Sequence, residues 1–406
     1  MSETIHVLII GAGITGLLIA QGLKSAGIKY TVFETSNPDD PRTREWTLGV
    51  HYAGTDLESL LPPPLYFRLR EAYTDPHHVF PSSGHESTPV YNTATGEKIH
   101  AIPRPDTINV SRRRMRKLCS EGIEVKYGMA FTGVEFVGNE AVAKFDIGGK
   151  EESVKGDLVI GADGTRSVVR ECLLGAEKAK RTMCDLELYT TVARYRDPDV
   201  ARRVRSLDPQ VAFGYHPEGM FNMIAISNIP DPEDPTTWEF YLANSTLGKW
   251  IEKMENEEIV ERVRGKSVPL AEPWRSSFLE MEDDMKFFND RLYYWIPQAW
   301  NNHDGRITLA GDAAHPMPPY RGQGLGQSIR DAAILVKSLK NIQEHNGKNE
   351  LAKIINEYEE EMIKRGGEEV EMSVRTMTMV HDWQKLMQSP FMKFGGQKIA
   401  DALKKE

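Results

Sequence analysis

Cysteine is scarce in this 406-residue chain: Cys119, Cys172 and Cys184 are an odd number without metal-ligand spacing. That argues against a disulfide framework or a zinc site and predicts reducing, cytoplasmic surroundings. Long apolar runs are missing too. No segment reaches the ~20 residues that a membrane-spanning helix needs, and the first apolar run lacks the basic flank of a signal peptide. Positive charge is in deficit, with 50 Lys and Arg against 59 Asp and Glu and a net charge of -9. A nucleic-acid surface needs basic patches, and Arg112-Arg113-Arg114 is too short a run to supply one. Internal repeats and low-complexity tracts are absent as well. What remains is an ordinary globular composition, 40% hydrophobic and 27% charged, in a chain long enough for two or three packed substructures.

The first strong pattern present is Ile5 to Ile10, then Gly11-Ala12-Gly13-Ile14-Thr15-Gly16, an apolar run through Leu23, and Tyr30-Thr31-Val32-Phe33-Glu34. It predicts a buried strand, a glycine-rich turn, a helix, and a second strand ending in an acid. Gly11 permits the tight turn, Gly13 lets backbone N–H groups approach a pyrophosphate, and Gly16 lets the helix lie close on the strand. The helix N-terminus offers unpaired donors and partial positive charge to phosphates. Glu34 stands where an acid accepts hydrogen bonds from a ribose diol.

Beyond it, a polar loop at 36–44 leads into 45–54, a mixture of apolar, aromatic and glycine residues that reads as passing close to a ligand or lining the core. Residues 75–105 read as an excursion with a hairpin around Ala94-Thr95-Gly96, and Ser111 as the cap of a helix through Cys119. Segments 123–127, 133–137, 141–147 and 152–155 read as a small antiparallel sheet. A buried strand at 157–160 closes in Gly161-Ala162-Asp163-Gly164, and strand-like runs dominate from 175 to 287. Strands return at 292–296 and 306–310, before Gly311-Asp312-Ala313-Ala314-His315 and a long helix over 324–340. The charged tail reads as helical, with methionines at 362, 372, 377, 379 and 387 as core packing. The expected fold is α/β: a Rossmann-like, discontinuous dinucleotide-binding domain (1–75, 106–175 and 288–340), a second, mostly β substrate domain (76–105 and 176–287), and a helical C-terminal tail (341–406).

Three separated motifs coincide: the fingerprint above, Asp157-Leu158-Val159-Ile160-Gly161-Ala162-Asp163-Gly164-Thr165-Arg166-Ser167-Val168-Val169-Arg170, and Gly311-Asp312-Ala313-Ala314-His315-Pro316 with Pro318-Pro319 and Gly322-Gln323-Gly324-Leu325. Their order and spacing, over most of 5–340, resemble the single-component FAD-dependent monooxygenases of the aromatic hydroxylase (class A) family, where they are the GxGxxG, DG and GD motifs. The run Glu45-Trp46-Thr47-Leu48-Gly49-Val50-His51-Tyr52 resembles a subgroup common in fungal secondary metabolism. The resemblance implies one non-covalent FAD extended across the Rossmann-like domain. It assigns Gly11, Gly13 and Gly16 to the pyrophosphate, Glu34 to the adenosine ribose and Arg112 to the flavin phosphate or ribityl chain, with Thr15 and Thr35 also among the cofactor-binding residues. Asp312 is assigned to the ribityl or phosphate oxygens, and Arg44 and Trp46 to a flavin-contacting loop. Pro319, Gly322, Gly324 and Leu325 border the isoalloxazine, which sets the N-terminus of the long helix beside the negative charge of reduced flavin. Asp163 and Gly164 support both the flavin and the approach of NAD(P)H. One departure is Gly326, where the family often has Asn; Asp331-Ala332 fits.

In that family NAD(P)H reduces the flavin, O2 adds at C4a, and the hydroperoxide delivers oxygen to an electron-rich substrate. The implied reaction is hydroxylation or epoxidation of an aromatic or polycyclic small molecule, with water excluded. A single dinucleotide fingerprint leaves NAD(P)H no domain of its own and favours a flavin that moves between two positions. Pocket candidates are residues 46–52 with Tyr189, Phe213, Tyr215, Phe221, Met223 and Tyr241. Of these, His51, Tyr52 and Tyr215, with His216, are positioned to orient or deprotonate a phenol or indole, or simply to pack the core. His315, inside the GD motif, reads as structural. A halogenase signature Trp-x-Trp-x-Ile-Pro is missing at Leu292-Tyr293-Tyr294-Trp295-Ile296-Pro297. An FAD-bound dehydrogenase or cyclase, and a non-catalytic flavin- or metabolite-binding protein, stay open because motifs report the cofactor and not the substrate. The expected assembly is a monomer or homodimer.

Overall fold

A computed structural model of the chain describes residues 5–37, 44–51, 53–80, 86–104, 107–282, 284–345, 350–390 and 392. The strand His6–Ile10 is the centre of a five-stranded parallel sheet, between Lys29–Phe33 and Leu158–Gly161, with Val125–Lys126 and Ile307–Leu309 at the edges. Val7, Leu8, Ile9, Val159 and Ile160 are all fully buried, as a parallel sheet covered on both faces requires. The helices Ile14–Ser25 and Gly324–His345 lie against one another in this core.

A three-stranded antiparallel sheet, Ala130–Val137, Glu140–Ile147 and Lys150–Gly156, packs on it through Phe145, whose ring stacks 4.3 Å from that of Phe33. The segment at 123–127 does not join this small sheet. Instead Val125 pairs beside Val32 and extends the parallel sheet, where Ile123 and Val125 find apolar cover in the main core.

The seven-stranded sheet runs in the order Phe288–Asn289, Leu186–Ala193, Glu239–Leu247, Met220–Asn228, Val211–His216, Ser87–Asn92, Lys98–Pro103. All its pairings are antiparallel except that of Val211–His216 with Ser87–Asn92. The excursion after the first domain is therefore a hairpin that completes this sheet. Three helices within 175–287, where strand-like runs dominate, cover one face: Pro198–Arg205, Asn256–Ser267 and Trp274–Leu279. Their signals are local, Asp197 accepting from the Asp199 N–H in one and a Glu255/Glu258 capping box in another.

Side-chain alternation sorts the sheet's residues. Ile224, Ile226, Phe240 and Leu242 face these helices, together with Tyr189. Phe213, Tyr215, Phe221, Met223 and Tyr241 belong to the clusters on the opposite face.

The tail helix Leu351–Val380 lies along Gly324–His345 and is tied to the parallel sheet by the Tyr358 hydroxyl, which donates to the Leu309 carbonyl at 2.8 Å. Met362 and Met377 are buried, while Met387 at the end of the short helix Trp383–Gln388 is exposed. Among the described residues no helix is long and apolar enough to cross a membrane. Tyr358→Phe leaves the buried Leu309 carbonyl without this donor. It should lower the unfolding free energy by roughly 1–2 kcal/mol, read from the urea midpoint; an unchanged midpoint would show that the tail is not held by this bond.

Candidate active site

The three glycine-rich motifs meet backbone to backbone. Gly11, at φ 107°, receives no side chain because a Cβ there would lie 2.4 Å from the Ala162 carbonyl oxygen; its own N–H donates to Phe33 O at 2.8 Å. A Cβ on Gly16 would come within 2.1 Å of the Gly11 oxygen. Gly311, at φ 62°, sits where a Cβ would be 2.6 Å from Thr15 Oγ1 and 3.0 Å from Ser328 Oγ. The first turns of Ile14–Ser25 and Gly324–His345 thus converge on Gly311. Gly13 and Gly324, at the starts of those two helices, have no atom of the described residues within 4 Å of a built Cβ. Open space therefore lies before both N-termini, where unpaired N–H groups favour an anion.

The side chains around this junction are held by the protein itself. The Asp163 carboxylate accepts from the Val168 and Val169 N–H groups at 2.7 and 3.1 Å, which caps a helix, while its Oδ1 is buried without a partner among the described residues. Arg170, two per cent exposed, donates to the carbonyls of Thr165 and Ala313, both at 2.7 Å, and so ties the DG loop to the GD loop. Burial pushes its pKa down to about 10, which leaves it a cation at neutral pH. Glu34 accepts from the Ala12 N–H at 3.0 Å, from the Ser36 N–H at 3.1 Å and from the Ser36 hydroxyl. Thr35 is exposed beside it. Arg116 donates to the Ala12 carbonyl at 2.7 Å.

Asp312 keeps solvent-accessible surface within a densely packed neighbourhood. Burial raises its pKa above the usual carboxylate range, against the pull of His315, Arg112 and Arg170. Arg112 is an exposed residue whose backbone N–H donates to Trp46 O at 3.0 Å. His315 is wholly buried and its Nε2 pairs with Asp331 Oδ2 at 2.7 Å. Asp331 also accepts from the Gly311 N–H and from Arg365, each at 2.7 Å. Burial alone would raise its pKa, but His315 and Arg365 hold it below the ordinary value. This network clamps the GD turn to two helices.

The opposite wall is the aromatic face of the seven-stranded sheet. Arg44 pairs with Asp290, with its guanidinium 4.2 Å from the Trp46 ring centre and 4.7 Å from that of Phe288, and Trp46 lies 6.1 Å from Tyr241. Arg44 thus joins its loop to the sheet. The His51 ring stands beside Gly49 and Gly322, with Nε2 at 2.5 and 2.9 Å from their built Cβ positions, and its Nδ1 pairs with Thr107 Oγ1 at 2.9 Å. Burial, with Arg104 adding to it, pushes the imidazole down to about 4, so it is neutral at physiological pH. Tyr52 lies outside the described residues. Tyr215 is buried with no hydrogen-bond partner among the described residues, its ring 5.5 Å from Phe221, and burial pushes its pKa up. His216 turns away and accepts the Glu218 N–H at 3.2 Å in a local turn.

Pro319, exposed, and Gly322, Gly324 and Leu325, half-buried, line the entry to the long helix. Tyr320, among them, reaches the aromatic face, 5.2 Å from Phe221. Arg170, Arg365 and Tyr320 escape a motif-by-motif reading. Arg170 and Tyr320 stand inside or beside a motif, whereas Arg365 has only helical spacing to announce it.

A family model described as an FAD binding domain matches residues 4–373. The FAD-dependent monooxygenase phnB of Penicillium herquei is 40% identical over 398 residues, covering 97% of this chain and 95% of that protein. The FAD-dependent monooxygenase cctM of Talaromyces islandicus is 35% identical over 394 residues, 96% of each. Among solved structures, Klebsiella pneumoniae HpxO complexed with FAD and uric acid matches at a TM-score of 0.77 and 19% identity, over 99% of this chain and 96% of that one, a likeness of fold.

The open space at Gly13 and the crowding at Gly16 make opposite predictions. Gly13→Asp should remain folded, with near-unchanged thermal midpoint in the apo form, yet purify without flavin because its carboxylate repels a pyrophosphate. Gly16→Val should lose the fold itself, seen as insoluble protein or a collapsed circular-dichroism melt. A yellow Gly13→Asp protein with full flavin stoichiometry would contradict the assignment.

Proposed function

The chain belongs to the FAD-binding-domain family and is an FAD-dependent monooxygenase of the aromatic hydroxylase group; from that premise we propose that it uses NAD(P)H and O2 to hydroxylate or epoxidise an aromatic or polycyclic small molecule. The observation that carries this reading is the convergence of three glycine-rich motifs at Gly311 opposite a sheet face rich in aromatic side chains. Two relatives, both fungal, carry monooxygenase names, which supports a place in secondary metabolism.

The cofactor, when bound, supplies the redox chemistry: two electrons from NAD(P)H and activation of O2, so that one oxygen atom enters the substrate and the other leaves as water. The chain's own residues do the rest. Gly13 and its helix N-terminus take the pyrophosphate, Glu34 the adenosine ribose, and Arg112 with Asp312 the phosphate and ribityl region. The Gly324 helix end stabilises negative charge on the reduced ring. Trp46, Phe213, Met223 and Tyr241 form a dry wall that holds an aromatic ring and excludes water. His51, neutral, acts as a hydrogen-bonding group beside Gly322 rather than as a cation.

The test is isotopic. With 18O2, NAD(P)H and an accepted substrate, the product should gain a single 18O atom for each NAD(P)H consumed. A product oxidised or cyclised with no 18O would favour the dehydrogenase or cyclase reading, and no NAD(P)H oxidation beyond that of free FAD would favour a binding protein.

A further inference from the structure

A second polar network stands on the aromatic wall, outside the residues given to the cofactor. The Tyr320 hydroxyl donates to Ser245 Oγ at 2.9 Å, Ser245 Oγ pairs with His381 Nε2 at 2.8 Å, and His381 Nδ1 pairs with the Met377 carbonyl at 2.7 Å. These residues come from the GD loop, the strand Glu239–Leu247 and the end of the tail helix. Ser245 and His381 are buried, while Tyr320 keeps accessible surface in dense surroundings, its ring 5.2 Å from Phe221 and 5.4 Å from His381. Tyr320 is therefore half-buried and packs against both clusters of the aromatic face.

The direction of the chain follows from its last link. A carbonyl only accepts, so His381 Nδ1 carries the proton and Nε2 of the neutral ring is a bare acceptor. Burial, with Lys266 adding to it, pushes the imidazole down to about 4 against the help of Met377 and Ser245, so the neutral form prevails at physiological pH. The Ser245 proton must then go to Nε2, and Ser245 oxygen must receive the proton of Tyr320. Every proton in the chain points from Tyr320 toward the Met377 carbonyl. The Tyr320 oxygen is left with lone pairs and no hydrogen to offer.

We propose that Tyr320, oriented by Ser245 and His381, is a specificity-determining acceptor that reads a hydroxyl donor on the aromatic substrate, so that the site takes phenols in preference to their methyl ethers. This rests on the aromatic-substrate reading above. An ether oxygen brought to the same place meets lone pairs with lone pairs, and both acceptors lose their water without gaining a bond. Ser245 and His381 are positioning residues: they act through Tyr320, and the tail contributes to substrate choice through His381.

The matched pair 2-naphthol and 2-methoxynaphthalene tests this by calorimetric titration of the oxidised, FAD-loaded enzyme. The wild type should bind the phenol more tightly by roughly tenfold to a hundredfold. Tyr320→Phe removes the acceptor, and Ser245→Ala releases the Tyr320 proton to serve an ether oxygen; in both the preference should fall to within about threefold. Retained flavin and thermal midpoint report that each variant is folded, and the wild-type ratio decides even if one is not. Equal binding of the two probes by the wild type, binding of neither, or an undiminished preference in either folded variant would overturn the assignment. A preparation that takes up no FAD would instead contradict the monooxygenase reading itself.

Discussion

The structure depends on backbones approaching closer than any side chain permits. Gly11 against Ala162, Gly16 against Gly11, and Gly311 against Thr15 and Ser328 bring three distant stretches of chain to one junction. Each contact excludes a Cβ. What this packing leaves unfilled, at Gly13 and Gly324, is then free for an anionic, elongated cofactor.

Around that junction, charged groups act as rivets rather than reagents. Arg170 holds two loops by their carbonyls, and the Asp331 carboxylate gathers His315, Arg365 and the Gly311 N–H. Buried ions of this kind are tolerable only with nearly every partner in place. Both networks meet that condition, apart from His315 Nδ1, which is buried without a partner among the described residues. The seven-stranded sheet contributes through its alternation: one face is sealed by helices, and the other offers Phe213, Phe221, Met223 and Tyr241 toward the junction.

Much of this was legible in the chain. The fingerprint needs strand, turn, helix and acid in register, and those are local properties, as is the Ser111 cap, which accepts from the Arg114 N–H at 3.2 Å. The hairpin around Gly96 was legible for the same reason. Less so were the helices that cover the seven-stranded sheet, whose surroundings are dominated by strands, and the fate of Val125, which depends on where the main core offers cover. Tyr189 reads like its aromatic neighbours but lies under the helices, because strand register decides the face. Arg44 carries a loop-arginine signal, yet its carboxylate partner Asp290 is 246 residues away. His381 is the extreme case: nothing near it in the sequence announces Ser245, a neighbour only through the fold.

The central claim is that this junction holds a flavin where O2 is activated and then spent on a substrate. Its most direct test is stopped-flow absorbance of the purified holoenzyme, reduced anaerobically and mixed with O2. The account predicts a transient species, spectrally distinct from both reduced and oxidised flavin, whose decay is hastened by a productive aromatic substrate. Direct return to oxidised flavin without such a species, with every substrate supplied, would contradict it.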